Sequence, residues 1–179
     1  MRIEPITTAE VDYFYEIHKK DFPSVERRTK TQIRNLIENN KQFCPRFFYD
    51  GNDLVAYLVY WKVKDFYFIE HFAVLPDFRG RGYGTKILTE FNKKYGNNII
   101  FEVEPPENAI AQRRIHFYEK LNFVHHNICY FQPSYRKKNF ISNLKLNIMT
   151  HKDFAKDVNN CLNLIYQNVY GIESNNQKF

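Results

Sequence analysis

A turn rich in glycine and arginine, residues 79–84, has the composition of an anion-binding site. It follows an apolar, β-prone run that ends near Pro76, and it precedes apolar residues that recur at helical spacing. The first turn of a helix leaves about four backbone N–H groups without intrahelical partners, at the positive end of the helix dipole. Because glycine has no Cβ, a ligand can approach those groups closely. The turn therefore predicts an anion cradle, and phosphate suits it best.

The spacing of these residues excludes two common phosphate-binding motifs. A P-loop requires glycine, lysine and then serine or threonine, whereas this chain has Gly84, Thr85 and Lys86 in the wrong order. A dinucleotide fingerprint would need a glycine at Thr85 or Ile87, and neither position has one. If the turn binds a phosphate, it therefore does so through neither of these two motifs.

Two short motifs resemble those of the GNAT superfamily of N-acetyltransferases. The spacing Arg79-x-x-Gly82-x-Gly84 resembles the family's acyl-CoA-binding motif R/Q-x-x-G-x-G/A. Residues 117–123 resemble its Y-E-K-L-G-F signature, with Asn122 in place of the glycine. That replacement is mild, because asparagine also tolerates the left-handed conformation at a helix end. The alternative interpretation of the first motif is an ordinary glycine-rich loop.

Periodicity and capping signals predict the elements that would position this turn. Capping-box patterns at Thr7 and Thr29 predict two helices near the N-terminus, and Asp50-Gly51-Asn52 predicts a tight hairpin turn. Further helices are expected over residues 83–95 and 108–121, and strands over residues 2–6, 43–49, 54–63, 66–75, 99–104, 123–131 and 144–149. This order resembles the GNAT fold, which implies an α/β (α+β) protein with a mixed, mostly antiparallel central sheet of about seven strands flanked by helices.

The C-terminal part extends beyond the region that resembles the GNAT core. We expect residues 1–149 to form the acetyltransferase domain and residues 150–179 to add a helix and tail packed on it. Thr150 and Asp153 have the spacing of a helix N-cap, and Phe154 would begin the apolar stripe. Gly171 would end this helix, with a loose tail beyond it.

The resemblance implies the residues that would hold acetyl-CoA, the acetyl donor. In the family, the sheet opens between the fourth and fifth strands, and the fourth strand binds the pantetheine arm and acetyl carbonyl through backbone amides. An N–H group aimed at that carbonyl would also stabilise an oxyanion. The implied residues are Phe72, Ala73 and Val74 on the strand, and Arg79, Gly80, Arg81, Gly82, Tyr83, Gly84 and Thr85 for the pyrophosphate.

The same resemblance implies catalytic roles for a tyrosine and a glutamate. Tyr118 matches the family's general acid for the leaving thiolate, although a core tyrosine at helical spacing is the alternative interpretation. An amine attacks only when neutral, so a general base is needed. Glu70 lies on the fourth strand, whereas Glu102 lies in a stretch resembling the L-E-V segment of ribosomal-protein N-acetyltransferases, with Glu104 two residues on. These three remain candidates, with Glu70 placed slightly ahead of Glu102.

One difference from the family concerns the helix before Tyr118. Where many relatives have asparagine and a small alanine, this chain has Ala111 and Arg114. Arg113 or Arg114 would then either meet a coenzyme phosphate or remain a solvated helix charge.

Composition limits the classes of function. With 179 residues, 44% of them hydrophobic, the chain is expected to fold as one domain. No apolar membrane span or signal-peptide pattern is evident, and three widely spaced cysteines fit reduced thiols, so a cytoplasmic location is expected. The six histidines show no metal-ligand spacing, and no G-x-S-x-G motif occurs, so neither a metalloenzyme nor a serine hydrolase is predicted.

The formal net charge of +6 favours anionic partners such as coenzyme A. The leading hypothesis is an acetyl-CoA-dependent N-acetyltransferase that acts by direct attack of a primary amine on the thioester. Its acceptor would be a small molecule or a peptide, and the protein a monomer or homodimer with no membrane partner. Two alternatives remain: a non-catalytic acyl-CoA-binding or regulatory module and, less favoured, a basic nucleic-acid-binding protein.

Two loops, residues 22–28 and 132–142, are expected to flank the acceptor pocket. Their Arg27, Arg28, Tyr135, Arg136 and Lys137 suggest an acceptor with a carboxylate or phosphate. The alternative is that these are ordinary surface charges.

Overall fold

The computed structural model describes residues 1–137 and 140–172, which form one seven-stranded sheet and five α-helices. The strands are β1 Arg2–Pro5, β2 Phe43–Asp50, β3 Asp53–Val63, β4 Phe66–Val74, β5 Ile99–Val103, β6 Phe123–Pro133 and β7 Ile141–His151. The helices are α1 Val11–Asp21, α2 Lys30–Asn39, α3 Tyr83–Tyr95, α4 Ala109–Glu119 and α5 Val158–Asn168. The strand order β1-β2-β3-β4-β5-β7-β6 confirms the predicted mixed sheet.

Capping residues mark the predicted start of α2 and both predicted ends of α3. Thr29 accepts a hydrogen bond from the N–H of Gln32 and begins α2 through a capping box. Gly82 and Gly96 have φ of +80° and +77° and bound α3 at the two residues predicted. Asn122 has φ of +66°, so it takes the left-handed conformation that the family's glycine would take.

The sheet is antiparallel except at one pair of strands. β2, β3 and β4 form the predicted meander, and Gly51 in the first turn has φ of +60°. β5 follows β4 through the crossover helix α3 and pairs with it in parallel, as expected. The ladder between them contains only three residue pairs and ends at Ile69 and Phe101.

Each face of the sheet is covered by its own hydrophobic cluster. One cluster packs α1, α2 and α5 on one face and includes Phe14, Ile33 and Leu162. The other packs α3 and α4 on the opposite face and includes Ile87 and Ile115. β3 is buried on both sides over most of its length, which explains its continuous apolar sequence.

The C-terminal prediction was wrong about where the last helix begins. Thr150 is paired with both Ile100 and Val124 in the sheet, so it cannot cap a helix. Asp157 is the cap instead, and its side chain accepts a hydrogen bond from the N–H of Asn160. The strands β6 and β7 are also longer than predicted, so the connection between them shortens to residues 134–140. Residues 138–139 of this connection and residues 173–179 of the expected loose tail, 172–179, lie outside the described residues, whereas Ile172 is buried and its N–H donates to the carbonyl of Tyr166.

The helix α5 packs within the same core as the first strands. Its Cys161, Leu162, Ile165 and Tyr166 are all buried in the cluster that contains Phe14 and Trp61.

Cys44 and Cys161 are free thiols. Within residues 1–137 and 140–172, every helix is too short or too polar to cross a membrane.

Candidate active site

A cavity of about 650 Å³ opens where β4 and β5 separate. The two strands are hydrogen-bonded only as far as Ile69 and Phe101, whereas β5 remains paired with β7 on its other edge as far as Val103. Beyond those residues, both strands line the cavity, together with the end of α1, the loop after it and Tyr118 of α4. This divergence is the feature on which the site is built.

The β4 edge that faces the cavity carries unpaired backbone groups. The N–H of Leu75 donates to Val55 on β3, while the carbonyl of Val74 accepts from Arg79 Nε at 2.9 Å instead of from β3. Successive residues of a strand direct their N–H groups to opposite edges. The N–H groups of Phe72 and Val74 therefore point toward the cavity, and that of Ala73 points toward β3.

The glycine turn continues this edge into the N-terminus of α3. Lys86 makes the first intrahelical hydrogen bond, to the carbonyl of Gly82. Among the residues that the structure describes, none accepts a hydrogen bond from the N–H of Tyr83, Gly84 or Thr85. At Gly80 and Gly82, which have φ of +74° and +80°, a Cβ would meet nothing within 4 Å, so the space above the turn is open. Such an arrangement fits a diphosphate.

Arg79 holds the turn against α1. Its guanidinium binds Asp21 at 2.7 Å as well as the Val74 carbonyl, and Asp21 also accepts a hydrogen bond from Tyr57. Arg81 instead lies over the ring of Phe78. Arg79 thus fixes the geometry of the turn, in addition to contributing positive charge.

The phenol of Tyr118 lies in an apolar pocket at the edge of the cavity. Its ring packs against Phe101 at a centroid distance of 4.7 Å and against Phe117 at 5.2 Å. Burial raises the pKa of Tyr118 to about 12, so the hydroxyl keeps its proton at neutral pH. No hydrogen-bond partner of this hydroxyl is found within residues 1–137 and 140–172, which leaves it available to a ligand.

Glu102 is a partly buried carboxylate on β5 that receives several hydrogen bonds. Tyr130 donates to Oε1 at 2.5 Å, Gln132 donates to Oε2 at 2.7 Å, and the Tyr170 hydroxyl lies 2.8 Å from Oε1. Burial raises the pKa of Glu102 to about 7, although these hydrogen bonds oppose the increase. A carboxyl with such a pKa can accept a proton near neutral pH.

These observations can be compared with known proteins. A family model described as the acetyltransferase (GNAT) family matches residues 11–123. The chain belongs to the GNAT acetyltransferase family.

Solved structures agree with the GNAT fold. A Bacteroides thetaiotaomicron protein assigned to the GNAT family is 29% identical, with a TM-score of 0.85 over 97% of this chain and all of that one. The ribosomal-protein-S18-alanine N-acetyltransferase of Escherichia coli is 20% identical, with a TM-score of 0.57 over 84% of this chain and 92% of its own. Arabidopsis thaliana NAA60 in complex with acetyl-CoA is 14% identical, with a TM-score of 0.57 over 84% of this chain and 97% of its own. No curated protein sequence matched.

Glu70, the other main candidate base of this GNAT protein, lies in a buried ion pair. Arg28 binds its Oε1 at 3.0 Å, and the indole N–H of Trp61 donates to Oε2 at 3.0 Å. Burial would raise the pKa of Glu70, but the charges of Arg28 and His71 and the hydrogen bonds to the carboxylate together outweigh burial and leave the pKa below its ordinary value. The remaining candidate, Glu104, binds Arg114 at 2.5 Å, and both of these side chains are exposed.

Both loops expected to flank the acceptor pocket contribute to the cavity lining, with Glu26 from one and Gln132 from the other, but their basic side chains contact the protein itself. Arg27 binds the Tyr15 hydroxyl, Arg28 lies between the rings of Trp61 and Tyr135, and Arg136 donates to the carbonyl of Ser24. None of the five loop residues that suggested an anionic acceptor lines the cavity. These side chains therefore do not support the prediction of an anionic acceptor, because intramolecular partners occupy them.

The sequence did not predict that three residues would surround Glu102. Tyr130 and Gln132 lie on β6, and Tyr170 follows α5, beyond the region matched by the GNAT family model. Tyr130 and Gln132 are two residues apart, so both side chains lie on one face of a strand. The sequence, however, predicts Gln132 in a loop. Tyr170 gave no sequence signal, since 68 residues separate it from Glu102.

Proposed function

We propose that this protein is an acetyl-CoA-dependent N-acetyltransferase that acetylates a primary amine by direct attack. The single observation that carries the proposal is the divergence of β4 and β5. It brings the open N–H groups of β4, the carboxyl of Glu102 and the hydroxyl of Tyr118 to one cavity, next to the N-terminus of α3. The family and fold support this class of reaction.

The residues around the cavity fit coenzyme A. The unpaired N–H groups of Tyr83, Gly84 and Thr85 would hold the diphosphate, and those of Phe72 and Val74 would hold the pantetheine arm. Arg79, Gly80, Arg81, Gly82 and Ala73 complete this binding segment by shaping the turn and the strand. When bound, acetyl-CoA supplies the activated acetyl group as a thioester.

Glu102 and Tyr118 would move the two protons that the reaction requires. We assign Glu102 as the general base, because its raised pKa lets it take a proton from the acceptor's ammonium group near neutral pH. Glu70 is less suitable, since its charge is compensated by Arg28. Tyr118 would donate its proton to the departing thiolate, and it has no competing hydrogen-bond partner among the described residues.

Release of free thiol from acetyl-CoA tests the proposal directly. Purified protein should produce thiol and an acetylated product when supplied with acetyl-CoA and a panel of small amines and peptides. Binding of acetyl-CoA without acetylation of any amine would instead favour the regulatory-module alternative. A cytoplasmic monomer or homodimer, with residues 150–179 packed on an acetyltransferase domain of residues 1–149, stays part of the proposal.

The Tyr118→Phe substitution should lower kcat by about 100-fold, the lower part of the range for general acid–base catalysis. The phenyl ring keeps the contacts with Phe101 and Phe117 but cannot donate a proton. The dissociation constant for acetyl-CoA, measured by calorimetry, should change little. The matched control is Tyr95→Phe, which removes a hydroxyl bound to Tyr60 away from the cavity. Equal kcat for Tyr118→Phe and wild type would exclude the proposed role.

The Gly82→Val substitution should abolish measurable acetyl-CoA binding. A side chain there would cover the N–H groups at the start of α3, and the φ of +80° would also strain the backbone. Gly96→Val is the matched control, because Gly96 has φ of +77° at the other end of the same helix, with nothing within 4 Å of a Cβ. Both variants should lose similar stability, but only Gly82→Val should lose the ligand-induced shift in melting temperature. Retained binding would contradict the assigned cradle.

A further inference from the structure

We propose that the acceptor side of the cavity selects an amine that carries a second positive charge, such as an aliphatic diamine. This inference rests on the proposed function and specifies its acceptor. It depends on the balance of charge around the cavity and on one amide oxygen that has no partner.

Most charged groups around the cavity cancel in pairs. Three carboxylates that line it are each bound by an arginine, and these pairs are Asp21 with Arg79 at 2.7 Å, Glu70 with Arg28 at 3.0 Å, and Glu104 with Arg114 at 2.5 Å. A ligand in the cavity therefore experiences little net charge from these six residues.

Two carboxylates that line the cavity are not compensated. Within residues 1–137 and 140–172, neither Glu26 nor Glu102 has a salt-bridge partner. Burial raises the pKa of Glu26 and the negative charge of Glu104 raises it further, while Arg114 only partly opposes the increase. Lys20 is the remaining cation of the lining, and it is exposed on α1. The acceptor region thus has an excess of negative charge, although the chain as a whole has a formal net charge of +6.

An independent observation at Gln132 indicates that the same region requires hydrogen-bond donors. Gln132 lines the cavity, and the residue is only 5% exposed. Its Nε2 donates to Glu102 Oε2 at 2.7 Å, which fixes the orientation of the amide, because a flipped amide would set two acceptors against each other. Its Oε1 is buried and has no hydrogen-bond partner among the described residues. A buried acceptor without a partner is costly, so a ligand that donates N–H groups is favoured.

Together, these features match a ligand with two amino groups. The reacting amine would lie near Glu102 and Gln132, where a carboxylate and an amide oxygen can both accept its protons. A second ammonium would lie near Glu26, where it would pair with a carboxylate that has no salt-bridge partner among the described residues. A carboxylate or phosphate in the same place would be repelled by Glu26.

Binding to the complex with coenzyme A, which cannot transfer an acetyl group, tests this specificity without relying on activity. The probes are diamines from 1,3-diaminopropane to 1,6-diaminohexane, each compared with the alkylamine and the ω-amino acid of the same chain length. For at least one length, calorimetry should give a diamine affinity about 10-fold higher than that of the matching alkylamine, as expected for a partly desolvated charge pair. The ω-amino acid should bind most weakly.

The Glu26→Gln substitution should lower this diamine preference by about 10-fold. Glu16→Gln is the matched control, since it removes the same charge from an exposed position of α1 that is paired with Lys19, and it should leave the preference unchanged. The inference is refuted if no diamine binds, if alkylamines bind equally well at every length, or if an ω-amino acid binds best. Acetylation of alkylamines without a diamine preference would also refute it while leaving the proposed function intact. A failure to bind acetyl-CoA would refute the proposed function itself.

Discussion

Replacing Glu102 with glutamine should reduce kcat for amine acetylation by at least about 100-fold, because general bases contribute about 10²- to 10⁴-fold. Glutamine is similar in shape, and its oxygen can still accept a hydrogen bond from Tyr130, but it cannot take a proton. In the wild type, kcat should rise with pH as Glu102 loses its proton around its pKa of about 7, and then level off. The variant should lack this rise. Stopped-time thiol assays across the pH range would measure both effects.

A matched substitution separates catalysis from general charge effects. Glu107→Gln removes a carboxylate from an exposed loop position outside the cavity lining, so its kcat and pH profile should equal those of the wild type. Melting temperatures for both variants should stay close to that of the wild type. If Glu102→Gln kept the wild-type rise in kcat near pH 7, another group would have to be the base.

The Arg28→Met substitution should destabilise the fold by about 3–5 kcal/mol, the usual cost of removing one partner of a buried ion pair. Arg28 also donates to the carbonyl of Val169 at 2.7 Å, so its loss releases the segment after α5 as well. Glu70, whose side chain is 1% exposed, would remain as a buried carboxylate without its cation. Urea unfolding would give the change in free energy, and Lys19→Met, which breaks an exposed pair with Glu16, should have little effect.

A second substitution and a pH series identify the cause of that destabilisation. Arg28→Met combined with Glu70→Gln should be more stable than Arg28→Met alone, since the buried charge is gone while Trp61 keeps a partner. Burial raises the pKa of Glu70, but Arg28, together with His71 and the hydrogen bonds to the carboxylate, holds it below its ordinary 4.5. The stabilisation by the pair is therefore complete above that value and is lost as the pH falls through the folded-state pKa. Equal losses for the single and double variants, at every pH, would show that the contact with Val169 matters more than the charge.

The Arg28–Glu70 pair also explains why Arg28 resembled an anion-binding residue in the sequence. Arginines in a loop near a predicted pocket resemble anion-binding residues, and nothing local distinguishes a buried arginine from an exposed one. The partner of Arg28 lies 42 residues away on β4, and the aromatic rings around it come from β3 and from Tyr135. Only the assembled sheet shows that its charge is already neutralised.

The sequence alone determined those features that short stretches of chain can specify. Glycine at residues 82 and 96 fixed both ends of α3, and Gly51 fixed the hairpin between β2 and β3, because each adopts positive φ. A crossover helix between β4 and β5 required parallel strands. The turn at residues 79–84, the family and Tyr118 could all be found in this way.

The tertiary structure alone decided what depends on contacts between distant residues. The position of β7 between β5 and β6 arises from long-range pairing, and the cavity opens because β4 and β5 pair over only three residues. The pairing of β7 also places Thr150 in the sheet, so α5 begins at Val158, later in the chain than the sequence predicted. The pKa of Glu102 depends on burial and on Tyr130, Gln132 and Tyr170, which only the folded chain brings together. Burial and charge compensation are properties of the whole assembly, so no local pattern could reveal them.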